Sequence, residues 1–372
     1  MNHIQHPLLA MLLALTLPFW DGYSQTFEGL DEMLFSPKTT LGGYGEMHYN
    51  HVGQENGTTT GTLDFHRFVL FYSHAWTEQW SFKSEIELEH NFVKGGQGEL
   101  ELEQAFVDYH HSTAFGFQAG VILPSVGFMN EYHEPPLFFG VERPDYAKNI
   151  IPTTWFGNGA AVYGKLLGVD YRFVLMEGLD GTKFSASSGL RSGRQKGYKA
   201  EATHPLINIK LESRAITGLV FGGSFSHMKA PDTLNSMPKV NPTTLAEMHL
   251  ELNRGGLIVK SEFGQINYGK PELVSGVKSA RGYYLDLGYD VASFLNLKGE
   301  FIPWFRYSDI NTAAVSEGVD TSIEADHHDS QWMVGVQLKP IPQVVYKLDY
   351  GKLTPENGTV STLFNLGVGY MF

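Results

Sequence analysis

Residues 82–89 read FKSEIELE, and residues 99–103, beyond a glycine-rich bend, read ELELE. In the first segment Phe82, Ile86 and Leu88 alternate with Lys83, Glu85, Glu87 and Glu89. Successive side chains of a β-strand point to opposite faces, so one face of this segment favours lipid and the other water. The same period recurs where Tyr283, Leu285, Leu287 and Tyr289 alternate with Asp286 and Asp290. It recurs again where Val344, Tyr346, Leu348 and Tyr350 enclose Lys347 and Asp349. In the last segment Phe364, Leu366, Val368, Tyr370 and Phe372 alternate with Asn365, Gly367 and Gly369.

Composition fits an all-β chain. The 372 residues include 25 Phe, 18 Tyr and 41 Gly, and aromatics favour pleated strands while glycine gathers at turns and close backbone approaches. The absence of cysteine excludes a disulfide scaffold, thiolate metal sites and a catalytic thiol. A net charge of −13 argues against nucleic acid as a partner.

Leu8 to Trp20 form the one long apolar run, followed by small residues at Gly22 and Ser24, so residues 1–24 are expected to be a cleaved signal peptide. The run is shorter than the ~20 residues a membrane helix needs and is broken by Pro18, and no later segment could span as a helix. If the mature chain belongs in a membrane, a closed barrel is the other structure that satisfies every backbone polar group in hydrocarbon.

Sixteen segments with barrel-like alternation are expected between residues 39 and 372, among them 39–50, 99–111, 195–204, 215–228 and 361–372. Residues 25–38 then form a periplasmic N-terminal segment. Tight turns are expected at 77–78, 112–114, 168, 254–256 and 339–341, with somewhat longer ones at 205–214 and 292–297. Between them fall long connections at 51–61, 91–98, 124–156, 179–194, 229–242, 269–279, 309–326 and 352–360. Short periplasmic turns alternating with long extracellular loops are a property of outer-membrane barrels that a soluble sandwich or propeller does not explain. The fold class expected is therefore an all-β transmembrane antiparallel barrel of about sixteen strands, with both termini in the periplasm.

Several stretches carry a more specific likeness: FVDY at 106–109, Gln118-Ala119-Gly120 leading to Pro124, NEYHEPP at 130–136, Glu142-Arg143-Pro144, IIPTTW at 150–155, IPWFRY at 302–307 and KPIPQVV at 339–345. In these the chain resembles the phosphate-selective porin O and P family of Gram-negative outer membranes. The resemblance implies a trimeric, passive, water-filled channel for small hydrophilic solutes or ions, lodged in outer-membrane lipid and without a cofactor, whose third loop folds inward. It departs from the family in having no dense basic run to match the lysine clusters and arginine rows on which phosphate selectivity depends. The terminal Phe372 resembles the signal read by the barrel assembly machinery.

Other chemistry is weakly signalled. His110-His111 and Asp326-His327-His328-Asp329 suggest metal ligands, but adjacent strand residues face opposite ways, so no metal site is expected. Neither a Gly-x-Ser-x-Gly elbow, a P-loop nor His-Glu-x-x-His occurs, so no catalytic residues are expected. A closed structural or adhesive barrel, and an outer-membrane lipase without a motif, are the competing classes.

Residues 124–156 are too long for an ordinary hairpin loop and too rich in Pro, Phe and Tyr to float in solvent. Packed inside, they would present Glu131, His133, Glu134, Glu142, Arg143, Asp145 and Lys148 to a pore. Lys83, Glu85, Glu87, Glu89, Glu99, Glu101, Glu103 and Arg306 are the candidate lumen wall. A register symmetric about Lys94 would set Glu89 against Glu99, Glu87 against Glu101 and Glu85 against Glu103. Facing carboxylates repel, so they need cationic partners or mobile cations, and a modest cation preference follows.

Overall fold

The alternating segments pair in chain order and close one antiparallel barrel of sixteen strands. The computed structural model describes residues 38–95, 97–318 and 322–372; the expected signal peptide, 1–24, and residues 25–37 lie outside the described residues. The first half of the wall is β1 (Lys38–Gln54), β2 (Thr59–Ala75), β3 (Trp80–Glu89), β4 (Leu100–Ser112), β5 (Phe115–Ile122), β6 (Gly157–Leu166), β7 (Val169–Met176) and β8 (Leu206–Ile216). The second half is β9 (Leu219–Leu234), β10 (Met237–Arg254), β11 (Leu257–Tyr268), β12 (Val277–Tyr289), β13 (Glu300–Ser316), β14 (His328–Ile341), β15 (Val344–Pro355) and β16 (Ser361–Met371). Pairing of β1 with β16 completes the ring, so the wall has no open edge to leave unpaired in hydrocarbon.

The two faces separate as the period requires. Ile86 and Leu348 are each 41% exposed on the outside, whereas Glu85 and Glu87 are 2% exposed and Asp349 is fully covered on the inside. Trp80 and Tyr109 pack with tilted rings, centroids 4.6 Å apart, beside the short turns, where membrane barrels carry an aromatic girdle. Among the described residues no helix is long and apolar enough to cross a membrane.

One strand sits elsewhere than expected. The eighth spans Leu206–Ile216, not 195–204. Lys196, Gly197 and Lys199 have φ of 54°, 73° and 45°, which no strand accommodates. Leu206, Asn208, Lys210 and Glu212 instead turn inward while Ile207, Ile209 and Leu211 face out. The turn expected at 205–214 is therefore at 217–218, and the preceding loop is long, 177–205.

Most of the connection expected at 229–242 is strand, because β9 and β10 run on to a two-residue turn at Asn235 and Ser236. Both residues have positive φ, 51° and 62°, the turn geometry that suits the twist of a hairpin. Pro231, Pro238 and Pro242 lie in this ribbon beyond the last pairings to β8 and β11, where a missing N–H costs no ladder bond. The connection expected at 51–61 shrinks likewise to 55–58. Short turns still occupy one end, at 76–79, 113–114, 167–168, 217–218, 255–256 and 342–343, and the longest loops, 123–156 and 177–205, lie at the other.

Candidate functional site

The third loop, 123–156, runs through the barrel. Buried backbone must find hydrogen-bond partners, and here the wall supplies them. Ser125 and Asn208 of β8 exchange bonds, the Ser125 amide donating to Asn208 Oδ1 at 3.0 Å and Asn208 Nδ2 returning to the Ser125 carbonyl at 3.1 Å. The amides of Gly127 and Phe128 donate to Glu247 on β10 (3.2 Å) and Glu262 on β11 (3.0 Å). Across the lumen the Leu137 carbonyl accepts from Lys260 at 2.8 Å and the Gly140 carbonyl from Lys347 at 2.7 Å. The Val141 amide donates to Asp349 at 2.7 Å. Asn130 clasps the loop base, taking the Trp155 amide at 2.7 Å and giving to the carbonyls of Pro124 and Trp155.

Shape complements these bonds. A Cβ on Gly369 of β16 would lie 2.3 Å from that of Pro135, and one on Gly288 of β12 would lie 2.5 Å from the Phe139 ring, so inward glycines make the room into which the loop packs. Val126, Tyr146, Ile150 and Trp155 join Leu179, Phe184 and Leu190 of the fourth loop, 177–205, in one apolar cluster with Met228, Ile266 and Tyr284 of the wall. Both loops therefore occupy the lumen, and the space left for water is narrowed from two sides.

The candidate residues on the third loop take different positions. Glu131 is held by Lys210 at 2.6 Å, Ser125 Oγ at 2.7 Å and Arg172 at 3.5 Å; burial raises its carboxyl, but Lys210 and Arg172 outweigh this and lower it. His133 lies 3.6 Å from both Glu85 and Glu103. Burial and Arg143 push its imidazole down, yet the two carboxylates prevail and raise it to about 10. Glu134 is half-buried with Oε2 covered and unpartnered, and desolvation lifts its carboxyl. Arg143 donates to the His133 carbonyl at 3.3 Å. Asp145 opens the short helix α1 (Asp145–Asn149) and accepts from Gln331 at 3.1 Å, while Lys148 of the same turn lines a recess of about 180 Å³ with Asp329 and Ser308.

Glu142 reaches β1, accepting from Asn50 at 2.9 Å and meeting His48 Nδ1 at 2.9 Å. Burial raises its carboxyl, but the bond to His48, the charges of His48 and His66, and the bond from Asn50 hold it down to about 2. The side chain is 45% exposed, so solvent moderates this hold. A depressed carboxyl stabilises its docked state above its ordinary value of 4.5 and loses that contribution as pH falls toward 2. Channel current is accordingly expected to be steady from pH 7 to 5 and to become noisier below about pH 4 as this tether lets go. Glu142→Gln should abolish that acid step, and an identical acid profile in wild type and variant would count against the tether.

On the wall, Lys83, Glu85, Glu87, Glu89, Glu101, Glu103 and Arg306 lie on inward positions, and Glu99 precedes β4. Glu87 opposes Glu101, and the Glu89 amide donates to the Glu99 carbonyl at 2.9 Å. Glu85 opposes Gln104 instead of Glu103, because a bulge between these pairs leaves Glu103 extra on β4. Lys83 pairs with Asp108 at 3.4 Å, and Arg306 grips Asp286 through two bonds of 2.6 and 2.7 Å.

The fourth loop adds cations that the sequence reading missed. Lys196 bridges Glu99 (2.6 Å) and Glu101. Arg194 lies within electrostatic reach of Glu89, Glu99, Glu101 and Glu103, and Arg191 within reach of Arg143 and Glu89. Burial first, then Arg194 and Arg143, lower the Arg191 guanidinium to about 10, the mark of crowded cations. Both arginines are fixed by backbone carbonyls of the third loop, Thr153 for Arg191, and Pro152 and Thr154 for Arg194. Their sequence signal, RSGRQK at 191–196, was obscured by assigning its end to a strand.

No protein-family model matches the chain. It is 29% identical over 355 residues, spanning 90% of this chain and 80% of the relative, to an uncharacterized protein of Aquifex aeolicus (strain VF5). Its fold is similar to that of the outer-membrane channel DcaP of Acinetobacter baumannii, with a TM-score of 0.59 at 13% identity, covering 91% of this chain and 98% of that one. It is also similar to the trimer form of OmpT, an outer membrane protein of Vibrio cholerae, with a TM-score of 0.54 at 10% identity, covering 91% and 100%. At these identities the likeness concerns architecture: the chain has the sixteen-stranded barrel fold of outer-membrane channels.

Proposed function

We propose that the protein is a porin of a Gram-negative outer membrane, a passive, water-filled channel for small hydrophilic solutes or ions, and not an enzyme. The observation that carries this reading is the charged lining inside an apolar-faced barrel. Part-exposed Asp64, Glu89, Glu101 and Glu142 are interspersed there with Arg143, Arg191, Arg194 and Lys196. Barrels of about sixteen strands are wide enough to hold water, and two inward loops reduce the opening without filling it by apolar contact alone. The third-loop residues from Glu131 to Lys148 and the acidic wall are proposed as its constriction.

The narrower likeness to phosphate-selective porins rests on sequence stretches alone, and the basic groups here are matched by carboxylates, so phosphate is not proposed as the solute. A homotrimer, outer-membrane lipid around the apolar face, and recognition of Phe372 by the assembly machinery belong to the same proposal. Support for a trimer comes from the resemblance and from the trimer form of the Vibrio protein. Reconstitution in planar bilayers tests the channel reading. Stable single-channel steps, small because two loops share the lumen, are the expected result, and a silent membrane with folded protein would favour a closed structural barrel.

A further inference from the structure

We propose that Glu85, Glu103 and His133 bind one divalent transition-metal ion that fastens the third loop to the wall. The proposal depends on the docked loop and not on conduction. His133 Nε2 stands 3.6 Å from Glu85 Oε1 and 3.6 Å from Glu103 Oε2, and the three ligand atoms lie within 4.8 Å of one another. Such separations are too long for hydrogen bonds. They match the edges of a coordination shell, since nitrogen and oxygen ligands about 2.0–2.2 Å from zinc in a tetrahedron lie about 3.3–3.6 Å apart.

The same atoms lack other partners. Glu85 Oε1, Glu103 Oε2 and both ring nitrogens of His133 are buried without a hydrogen bond, in residues that are 2%, 1% and 3% exposed. Buried polar atoms left unpaired are costly and uncommon, and three of these, His133 Nε2, Glu85 Oε1 and Glu103 Oε2, converge and call for a species between them. The rest of the local structure holds the ligands in place. Gln104 donates to the other oxygen of Glu85 at 2.6 Å, the kind of outer contact that orients a metal-bound carboxylate. Glu103 faces inward by alternation from Glu101, and the β4 bulge sets Gln104 opposite Glu85, where it can hold that carboxylate.

Charge points the same way. Arg67 is engaged by Glu46 at 2.8 Å and Glu87 at 3.3 Å, and Arg143 and Arg194 act on Glu134 and Glu103 without a hydrogen bond to Glu85 Oε1 or Glu103 Oε2. A divalent ion in place of the imidazole proton would give both carboxylates a direct partner in a dry setting where unpartnered carboxylates are expensive. One imidazole with two carboxylates suits zinc and its neighbours better than calcium or magnesium. The ligands come from two strands and a loop, so no local spacing in the sequence brings them together.

Asp64, His66 and His90 also converge nearer the loop end, so the test uses full-length protein in detergent carrying His66→Ala. Isothermal titration with ZnCl2 is expected to show one ion per chain, with affinity falling at least tenfold in His133→Gln and in Glu103→Gln. Gln104→Ala should weaken binding by about 10–100-fold, as loss of such an outer contact does. Should those variants fail to fold, Co2+ added to the His66→Ala protein is expected to give the visible absorption of a low-symmetry nitrogen and oxygen site. Absence of zinc binding, unchanged affinity in folded His133→Gln and Glu103→Gln, or only the pale spectrum of hydrated Co2+ would overturn the site and leave a proton shared among the three groups.

Discussion

Deleting residues 130–145 is expected to raise single-channel conductance several-fold while the sixteen-stranded wall persists. Every strand pairs with two neighbours whether or not the loop is present, so the ring does not depend on it for backbone bonds. The groups the deletion uncovers, among them Lys260, Gln337, Lys347 and Asp349, are polar and would hydrate rather than collapse. Loss of the Asn130 clasp and of the Pro135 and Phe139 contacts removes the segment that crosses the lumen. A gentler version is Gly369→Val. It sets a branched side chain where even a Cβ meets Pro135 at 2.3 Å, and overpacking of this kind costs about 1–3 kcal/mol. That variant should give larger, noisier currents rather than a clean new level. Unchanged conductance in a folded deletion would show that the third loop does not set the opening.

Replacing Arg191 and Arg194 together by Gln is expected to turn the channel toward cations. With those charges in place, the acidic wall of Glu87, Glu89, Glu99 and Glu101 faces Arg143, Arg191, Arg194 and Lys196, and the two sets come close to cancelling. On the proposed channel reading, the modest cation preference expected from the carboxylates alone would thereby be reduced to weak selectivity. Removing two cations leaves a net negative strip, and charge-lined clefts concentrate counter-ions by about tenfold or more at low salt. Reversal potentials in a KCl gradient should shift accordingly and shrink as salt approaches molar strength. The converse pair, Glu87→Gln with Glu101→Gln, should shift them toward anions. No movement in either double variant would place the selective surface elsewhere.

The wall was legible because its signal is local. Period-two alternation in FKSEIELE or VVYKLDY needs no partner strand to be recognised. The eighth strand slipped because 195–204 and 206–216 both mix apolar and charged residues, and the positive φ values that exclude the first are not visible in residue type at Lys196 and Lys199. Extended β9 and β10 were hidden by their prolines, which signal a loop unless the far edge of each strand is known to be free. The site was less legible for a different reason. Glu142 to His48, Lys210 to Glu131 and Lys196 to Glu101 join residues 94, 79 and 95 positions apart, and no periodicity carries such pairings. Bulges add to this, since one opposite Met47 turns His66 and Arg67 to the same side and another frees Glu103.

Many of the bonds that carry the third loop across the lumen are made to its main chain, beside the side-chain holds on Glu131, Glu142 and Asp145. Carbonyls of Leu137, Phe138, Gly140 and Glu142 accept from wall side chains, and amides of Gly127, Phe128 and Val141 donate to wall carboxylates. A peptide unit offers the same donor and acceptor whatever residue bears it. Along those stretches the barrel works as a mount that grips a ribbon without reading its letters, so substitutions at loop side chains that make no wall contact can retune what passes while the mount stays as it is.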